Sequence, residues 1–309
     1  MKILVAYDGS ECADAAIADL KNAGLGANTE ALVVSLADVL LPPPVAEAID
    51  DPAPVYVPES VRLALARAQQ KLDDAKALAQ RAAAQIKSAF PSWVVNYDAQ
   101  ADSPAWALIR MADELKPDLM VLGARGHSVF GGRVILGSIS QRVLYEARCS
   151  IRITRTEVKK DEGPVRILIG VDHSPDSNKA VEAVCNRSWP TGSEVALLSV
   201  VDTVMAVNTD SETVKWIEVG EEKNWDQVRE LFAPDAQKLR DAGLHVEVLV
   251  RRGNPADEIL AEADTWGADA IFVGAKGTRG IDRLLLGSVS SAIAARAHCS
   301  VEVVRPANA

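Results

Sequence analysis

Two short stretches of this sequence carry the residue types needed to hold an anion. Gly123-Ala124-Arg125-Gly126 is followed by Gly137-Ser138-Ile139-Ser140, and Gly274-Ala275-Lys276-Gly277 by Gly287-Ser288-Val289-Ser290. Glycines let the backbone turn tightly and let a phosphate approach without meeting a Cβ. A helix opening at Gly137-Ser138 or Gly287-Ser288 would add free N–H groups and the positive end of its dipole. Ser138, Ser140, Ser288 and Ser290 would add hydroxyl donors. Arg125 and Arg133 lie between the glycines of the first stretch, and Lys276, Arg279 and Arg283 between those of the second. The chain as a whole has a net charge of −10. An acidic protein that gathers cations into two equivalent loops is suited to neutralising bound phosphates. The same features also serve as a tight turn and a plain helix start. Their repetition, with an aspartate upstream each time, favours the anion site. Asp8 and Asp172 would repel phosphate, so they are assigned to the neutral end of the ligand, accepting from ribose hydroxyls.

The elements that must position these residues come twice. Ile3-Leu4-Val5-Ala6-Tyr7-Asp8-Gly9-Ser10 returns as Ile167-Leu168-Ile169-Gly170-Val171-Asp172-His173-Ser174. The segment from Asp118 to Arg155 returns from Asp269 to Arg305. Marker blocks at both ends of each half imply duplication of a whole domain. The join, Thr156 to Pro164, is charged and ends in a helix breaker, which divides the chain into domains 1–156 and 164–309.

Strand and helix signals alternate within each half. In the first, strands are predicted at Ile3–Tyr7, Leu32–Leu36, Trp93–Tyr97, Leu119–Leu122 and Ile151–Thr154. Helices are predicted at Ala13–Lys21, Ser60–Lys87, from Pro104, and at Ser138–Glu146, with a proline-rich loop from Pro42 to Pro58. The apolar stripe of the long helix runs through Leu65, Leu72, Ala75, Ala79, Ala82 and Ile86. The second half repeats this order, with Pro234 expected to kink or restart a helix near Ala233. Strands apolar on both faces imply a parallel sheet covered on both sides, an α/β doubly wound fold. In such sheets ligands bind beyond the carboxyl ends of the strands, where the candidate residues fall. The fifth strands depart from this pattern. Arg152, Thr154 and Glu302 alternate with apolar residues, which predicts a face that is wet or paired with another domain.

Composition narrows the function classes. A chain of 309 residues, 48% hydrophobic and 25% charged, suits two soluble globular domains. No stretch approaches the ~18 apolar residues of a membrane span. The N-terminus runs from Met1 into a strand and then Asp8, which predicts no signal peptide and a cytoplasmic location. Net negative charge argues against nucleic-acid and anionic-membrane partners. Four cysteines without C-x-x-C spacing predict neither a zinc site nor a disulfide framework.

At the glycine loops the chain resembles the universal stress protein family in its tandem-domain form. That family's signature is G-x-x-G, nine residues, then G-[S/T]. The second copy fits it at Gly274, Gly277 and Gly287-Ser288, whereas the first has ten residues between Gly126 and Gly137. The third-strand loop reads Gly253-Asn254-Pro255 in the second copy and Asp102-Ser103-Pro104 in the first. The resemblance implies two five-stranded parallel sheets of order 3-2-1-4-5 and ATP as ligand, with or without a magnesium ion. It implies that Asp8 and Asp172 face the adenosine, and that Leu36 and Val200 in the second strands present backbone to the adenine. Phosphate contacts would be Gly123, Arg125, Gly126, Gly137, Ser138, Ile139 and Ser140, and Gly274, Lys276, Gly277, Gly287, Ser288, Val289 and Ser290. It further implies that the last strands pair across a pseudo-twofold axis, and leaves open the pairing of whole chains into a dimer.

The expected function is therefore an ATP-binding stress-response or regulatory protein whose protein partner the sequence does not name. Two alternatives stand beside it: a slow ATP hydrolase or nucleotidyl-transfer enzyme, and a non-catalytic interaction scaffold. Against an enzyme, no G-x-x-x-x-G-K-[S/T] is present, and His127 of the first loop is replaced by Thr278 in the second. A base needed in both sites would not be so replaced.

Overall fold

The structure, a computed structural model, describes residues 1–39, 58–126, 136–155, 163–201, 225–277 and 286–306. The first half runs β1 (Lys2–Ala6), α1 (Glu11–Asp19) with a 3-10 turn (Leu20–Asn22), β2 (Glu30–Ala37), α2 (Glu59–Ala89), β3 (Val94–Ala101), α3 (Pro104–Leu115), β4 (Leu119–Gly123), α4 (Ser138–Glu146) and β5 (Ser150–Thr154). The second half runs β6 (Arg166–Val171), α5 (Pro175–Cys185), β7 (Glu194–Val201), α6 (Trp225–Leu231), α7 (Ala233–Asp241), β8 (His245–Arg252), α8 (Pro255–Trp266), β9 (Ala270–Gly274), α9 (Ser288–Arg296) and β10 (Ser300–Val304). The proline-rich loop up to Val57, the join over 156–162 and the stretch over 211–224 lie outside the described residues.

Local chemistry accounts for several boundaries. Pro234 divides its helix as expected: α6 ends at Leu231, buried Phe232 intervenes, and α7 restarts with proline in its first turn. The long helix α2 buries Ala68, Ala75, Ala79, Ala82, Ala83 and Ile86. Leu65 and Leu72 of the expected stripe are only half-buried. All of Leu119–Leu122 is buried, as a strand covered on both faces requires.

The ten strands form one sheet in the order β3-β2-β1-β4-β5-β10-β9-β6-β7-β8. Each half has the order 3-2-1-4-5 with parallel neighbours, and the halves meet where β5 and β10 pair antiparallel. Both expectations from the fifth strands are thus resolved: their odd polar residues belong to a seam between domains. Ile151 and Ile153, with Val301 and Val303, point into a core that continues across both halves. The alternate residues point to the opposite face, where the two halves keep separate cores.

On that opposite face the seam holds a buried chain of charges. Arg152 Nε donates to Asp19 Oδ2 at 2.7 Å and Arg152 Nη1 to Glu302 Oε2 at 3.3 Å. Arg187 closes on the same Glu302 and also donates to the Ala23 carbonyl at 2.9 Å. Thr154 and Ser300 hydroxyls add donors to Asp19 Oδ2 at 3.1 and 2.8 Å. Buried charges are tolerable only when paired in this way.

Candidate functional site

Each half places its glycine loop at the carboxyl end of the sheet, at the ends of β1 and β4 in the first and of β6 and β9 in the second. Asp8 and Asp172 follow β1 and β6, and each forms an Asx turn. Asp8 Oδ1 accepts from Ser10 N at 3.0 Å, and Asp172 Oδ1 accepts from Ser174 N at 3.0 Å. The intervening residue takes positive φ, +77° at Gly9 and +63° at His173. Histidine in this region carries strain, and its ring stacks on Phe232 with centroids 4.4 Å apart.

The second carboxylate oxygen of each aspartate abuts the second loop glycine. A Cβ on Gly126 would lie 2.5 Å from Asp8 Oδ2, and one on Gly277 would lie 2.6 Å from Asp172 Oδ2. The first glycine of each loop is equally confined. A Cβ on Gly123 would stand 2.7 Å from the Cys12 carbonyl carbon, and one on Gly274 would overlap the Asp176 backbone. Backbone contact with the first helix therefore requires glycine at Gly123 and Gly274, while Gly126 and Gly277 are packed against the carboxylate tips of Asp8 and Asp172.

Serines the sequence analysis passed over lock the loop to that helix. Ser10 caps α1 by accepting from Ala13 N at 3.3 Å, while its hydroxyl donates to the Arg125 carbonyl at 3.3 Å. Ser174 repeats both contacts, with Ser177 N at 3.1 Å and the Lys276 carbonyl at 3.2 Å. The signal was present as Asp8-Gly9-Ser10 and Asp172-His173-Ser174.

Across the loop, Gly137 N donates to the Ala124 carbonyl at 2.8 Å and Gly287 N to the Ala275 carbonyl at 2.7 Å. These bonds set the start of α4 and α9 beside Arg125 and Lys276. Both helices open at a glycine N-cap with no side-chain cap, unlike α1, α5 and α8, capped by Ser10, Ser174 and Asn254. First-turn N–H groups lack intrahelical partners, so this opening suits an anion. Ser138, Ile139 and Ser288 are exposed there, and Val289 is half-buried. Ser140 and Ser290 point inward instead: their hydroxyls donate to the carbonyls of Gly123 at 2.7 Å and Gly274 at 2.6 Å. Their part is to hold the helix onto the end of β4 or β9.

Leu36 and Val200 are the penultimate residues of β2 and β7. Val34, two residues before Leu36, accepts the Tyr7 N–H at 2.9 Å, and Ser199 pairs with Val171. Both residues thus reach the level of the aspartates. Arg133, His127, Thr278, Arg279 and Arg283 lie outside the described residues. Asp102, the added carboxylate of the first copy, is tied down by Arg110 Nη1 at 2.8 Å and by Ser103 N at 2.7 Å.

Beneath each loop an arginine crosses the seam. Arg155, just after β5, donates to the carbonyls of Ala294 and Ala295 at 2.9 and 2.6 Å, at the end of α9. Arg305, just after β10, donates to Leu144 near the end of α4 and to Cys149 at 3.2 Å. Each arginine therefore sits at the carboxyl end of the other domain's glycine-capped helix, where its charge favours the dipole. Burial lowers both guanidinium pKa values, that of Arg305 to about 10, and Arg125 lowers that of Arg155 further.

Comparison with known proteins agrees with this architecture. The model of the universal stress protein family matches twice, over residues 1–155 and 165–305. A universal stress protein of Mycolicibacterium smegmatis is 28% identical over 98% of this chain and 97% of its own. Universal stress protein MJ0531 of Methanocaldococcus jannaschii is 29% identical over 45% of this chain and 81% of its own. The crystal structure of a universal stress protein from Archaeoglobus fulgidus superposes with a TM-score of 0.65 over 99% of this chain and 97% of that one, at 20% identity. With the family matched in both halves and the same fold found across the whole length, this chain belongs to the universal stress protein family, as a tandem of two of its domains.

Proposed function

We propose that this protein binds adenine nucleotide, ATP foremost, at each of its two glycine loops, and acts as a nucleotide-responsive stress or regulatory protein. The observation that carries this reading is the paired, uncapped opening of α4 and α9 beside a loop whose glycines leave no room for a Cβ. A phosphate chain fits that opening through backbone N–H groups and the helix dipole. Arg125 or Lys276 supplies charge, and Asp8 or Asp172 offers a carboxylate to ribose hydroxyls. Leu36 and Val200 supply backbone to the adenine, and a magnesium ion is admissible on the phosphates. Binding alters the surface that a partner reads at the two loops.

The test is direct. Purified protein is denatured and its supernatant chromatographed for nucleotide, and thermal shift with added ATP is measured in parallel. Nucleotide release, or a shift abolished by combining Gly126→Glu and Gly277→Glu, is expected. Empty protein that shows no shift with ATP or AMP would overturn the reading.

A further inference from the structure

The two loops differ at one position beneath them. In the second domain Asp176, in the first turn of α5, accepts the backbone N–H of Lys276 through Oδ2 at 2.9 Å. That N–H belongs to Gly274-Ala275-Lys276-Gly277, the stretch assigned to phosphate. In the first domain the counterpart of Asp176 is Cys12. The two residues are structurally equivalent, because each passes its backbone under the first glycine of its loop. Cys12 brings no carboxylate to the loop, so beyond the aspartate that both loops share (Asp8 or Asp172) only the second carries an additional carboxylate beneath it.

The surrounding charges reinforce the difference. In the first domain Arg155 and Arg125 are close enough to repel, a repulsion that a bound anion relieves. In the second, Arg305 feels the negative charge of Asp176 instead. A carboxylate hydrogen-bonded to a backbone N–H already plays the part of a phosphate oxygen there, and an incoming phosphate must approach or displace a like charge.

We propose that Asp176 makes the two sites unequal: the second site discriminates against the more highly charged nucleotides, and the first takes the full triphosphate. This rests on the nucleotide-binding reading above. It reverses the ranking that loop spacing alone suggests, since the second copy has the regular nine-residue spacing.

The experiment uses the full chain and reads one site at a time by calorimetric titration with ATP and with AMP. Gly126→Glu leaves the second site to be read, and Gly277→Glu the first. On the Gly126→Glu background, Asp176→Asn keeps an acceptor for Lys276 N–H and removes the charge. It is expected to raise ATP affinity about five- to tenfold, with a smaller gain for AMP. On the Gly277→Glu background, Cys12→Asp is expected to lower ATP affinity by a similar factor. Thermal melts identify any variant that fails to fold, and the other substitution then decides. An ATP-to-AMP preference unchanged by the folded variants overturns this inference while leaving nucleotide binding intact. Absence of ATP and AMP binding in the unsubstituted chain overturns both.

Discussion

Arg152 of β5 stands directly opposite Glu302 of β10 in the antiparallel register, with both side chains fully buried. Because the halves are copies, the two positions are equivalent by the pseudo-twofold. A pairing of two first domains would bring Arg152 against Arg152, and of two second domains Glu302 against Glu302. The charge difference therefore specifies which half pairs with which. Arg152→Met is expected to leave Asp19 and Glu302 without their common partner and to cost about 3–5 kcal/mol in denaturant unfolding. A loss within ~0.5 kcal/mol would show that the seam does not depend on this residue.

The crossing arginines predict a second stability effect. Arg305→Ala removes donors from carbonyls at Leu144 and Cys149, in a region where water does not replace them. The expected cost is about 1–3 kcal/mol. Arg148→Ala is the matched control. Its side chain is largely exposed and its contact to Asp113 is 4.0 Å long, so a change within ~0.5 kcal/mol is expected. Equal effects of the two would contradict a role for Arg305 at the helix end.

Alkaline pH should act through Tyr7. Burial, and then its hydrogen bond to Asp14 at 2.6 Å, push the Tyr7 phenol up to about 12. The unfolded chain releases that proton near pH 10. The contribution is complete below pH 10 and is lost as pH rises from about 10 to 12. Melting temperatures of the parent protein should therefore fall over that window, and those of Tyr7→Phe should fall less. Parallel declines would remove Tyr7 as the cause.

Two thiols should be inert. Burial pushes Cys149 up to about 11 and Cys299 to about 12, so little thiolate is present at pH 8. Iodoacetamide at that pH is expected to leave both unmodified in native protein and to label them fully after denaturation, as peptide mass mapping would show. Labelling of native Cys149 at the rate of a free thiol would contradict its burial.

What could be read from sequence follows from how local each determinant is. The start of α4 at Ser138 and the break before Ala233 are set by glycine and proline, which act on their own backbone. The strands could be read because apolar residues on both faces leave few alternatives. The seam was visible as Arg152 and Glu302 out of place in apolar strands, but their partners Asp19 and Arg187 were not. Those sit on or just after helices far away in the chain, and pairing at that range leaves no periodic trace. The inward turn of Ser140 and Ser290 was also hidden, since at a helix start only side-chain direction separates a ligand donor from a structural one. The carboxylate of Asp176 was missed for a related reason: an acid in a first turn reads as an ordinary favourable charge near the helix dipole.

Only 11 residues separate Thr154 of β5 from Arg166 of β6. The β5–β10 contact is therefore a meeting between tethered surfaces, with an effective concentration on the order of millimolar. Its strength does not depend on how much protein a cell makes. Separate single-domain proteins joined through such an edge would drift apart when scarce. Here the two loops stay in mutual register at any copy number, so whatever reads them encounters both together.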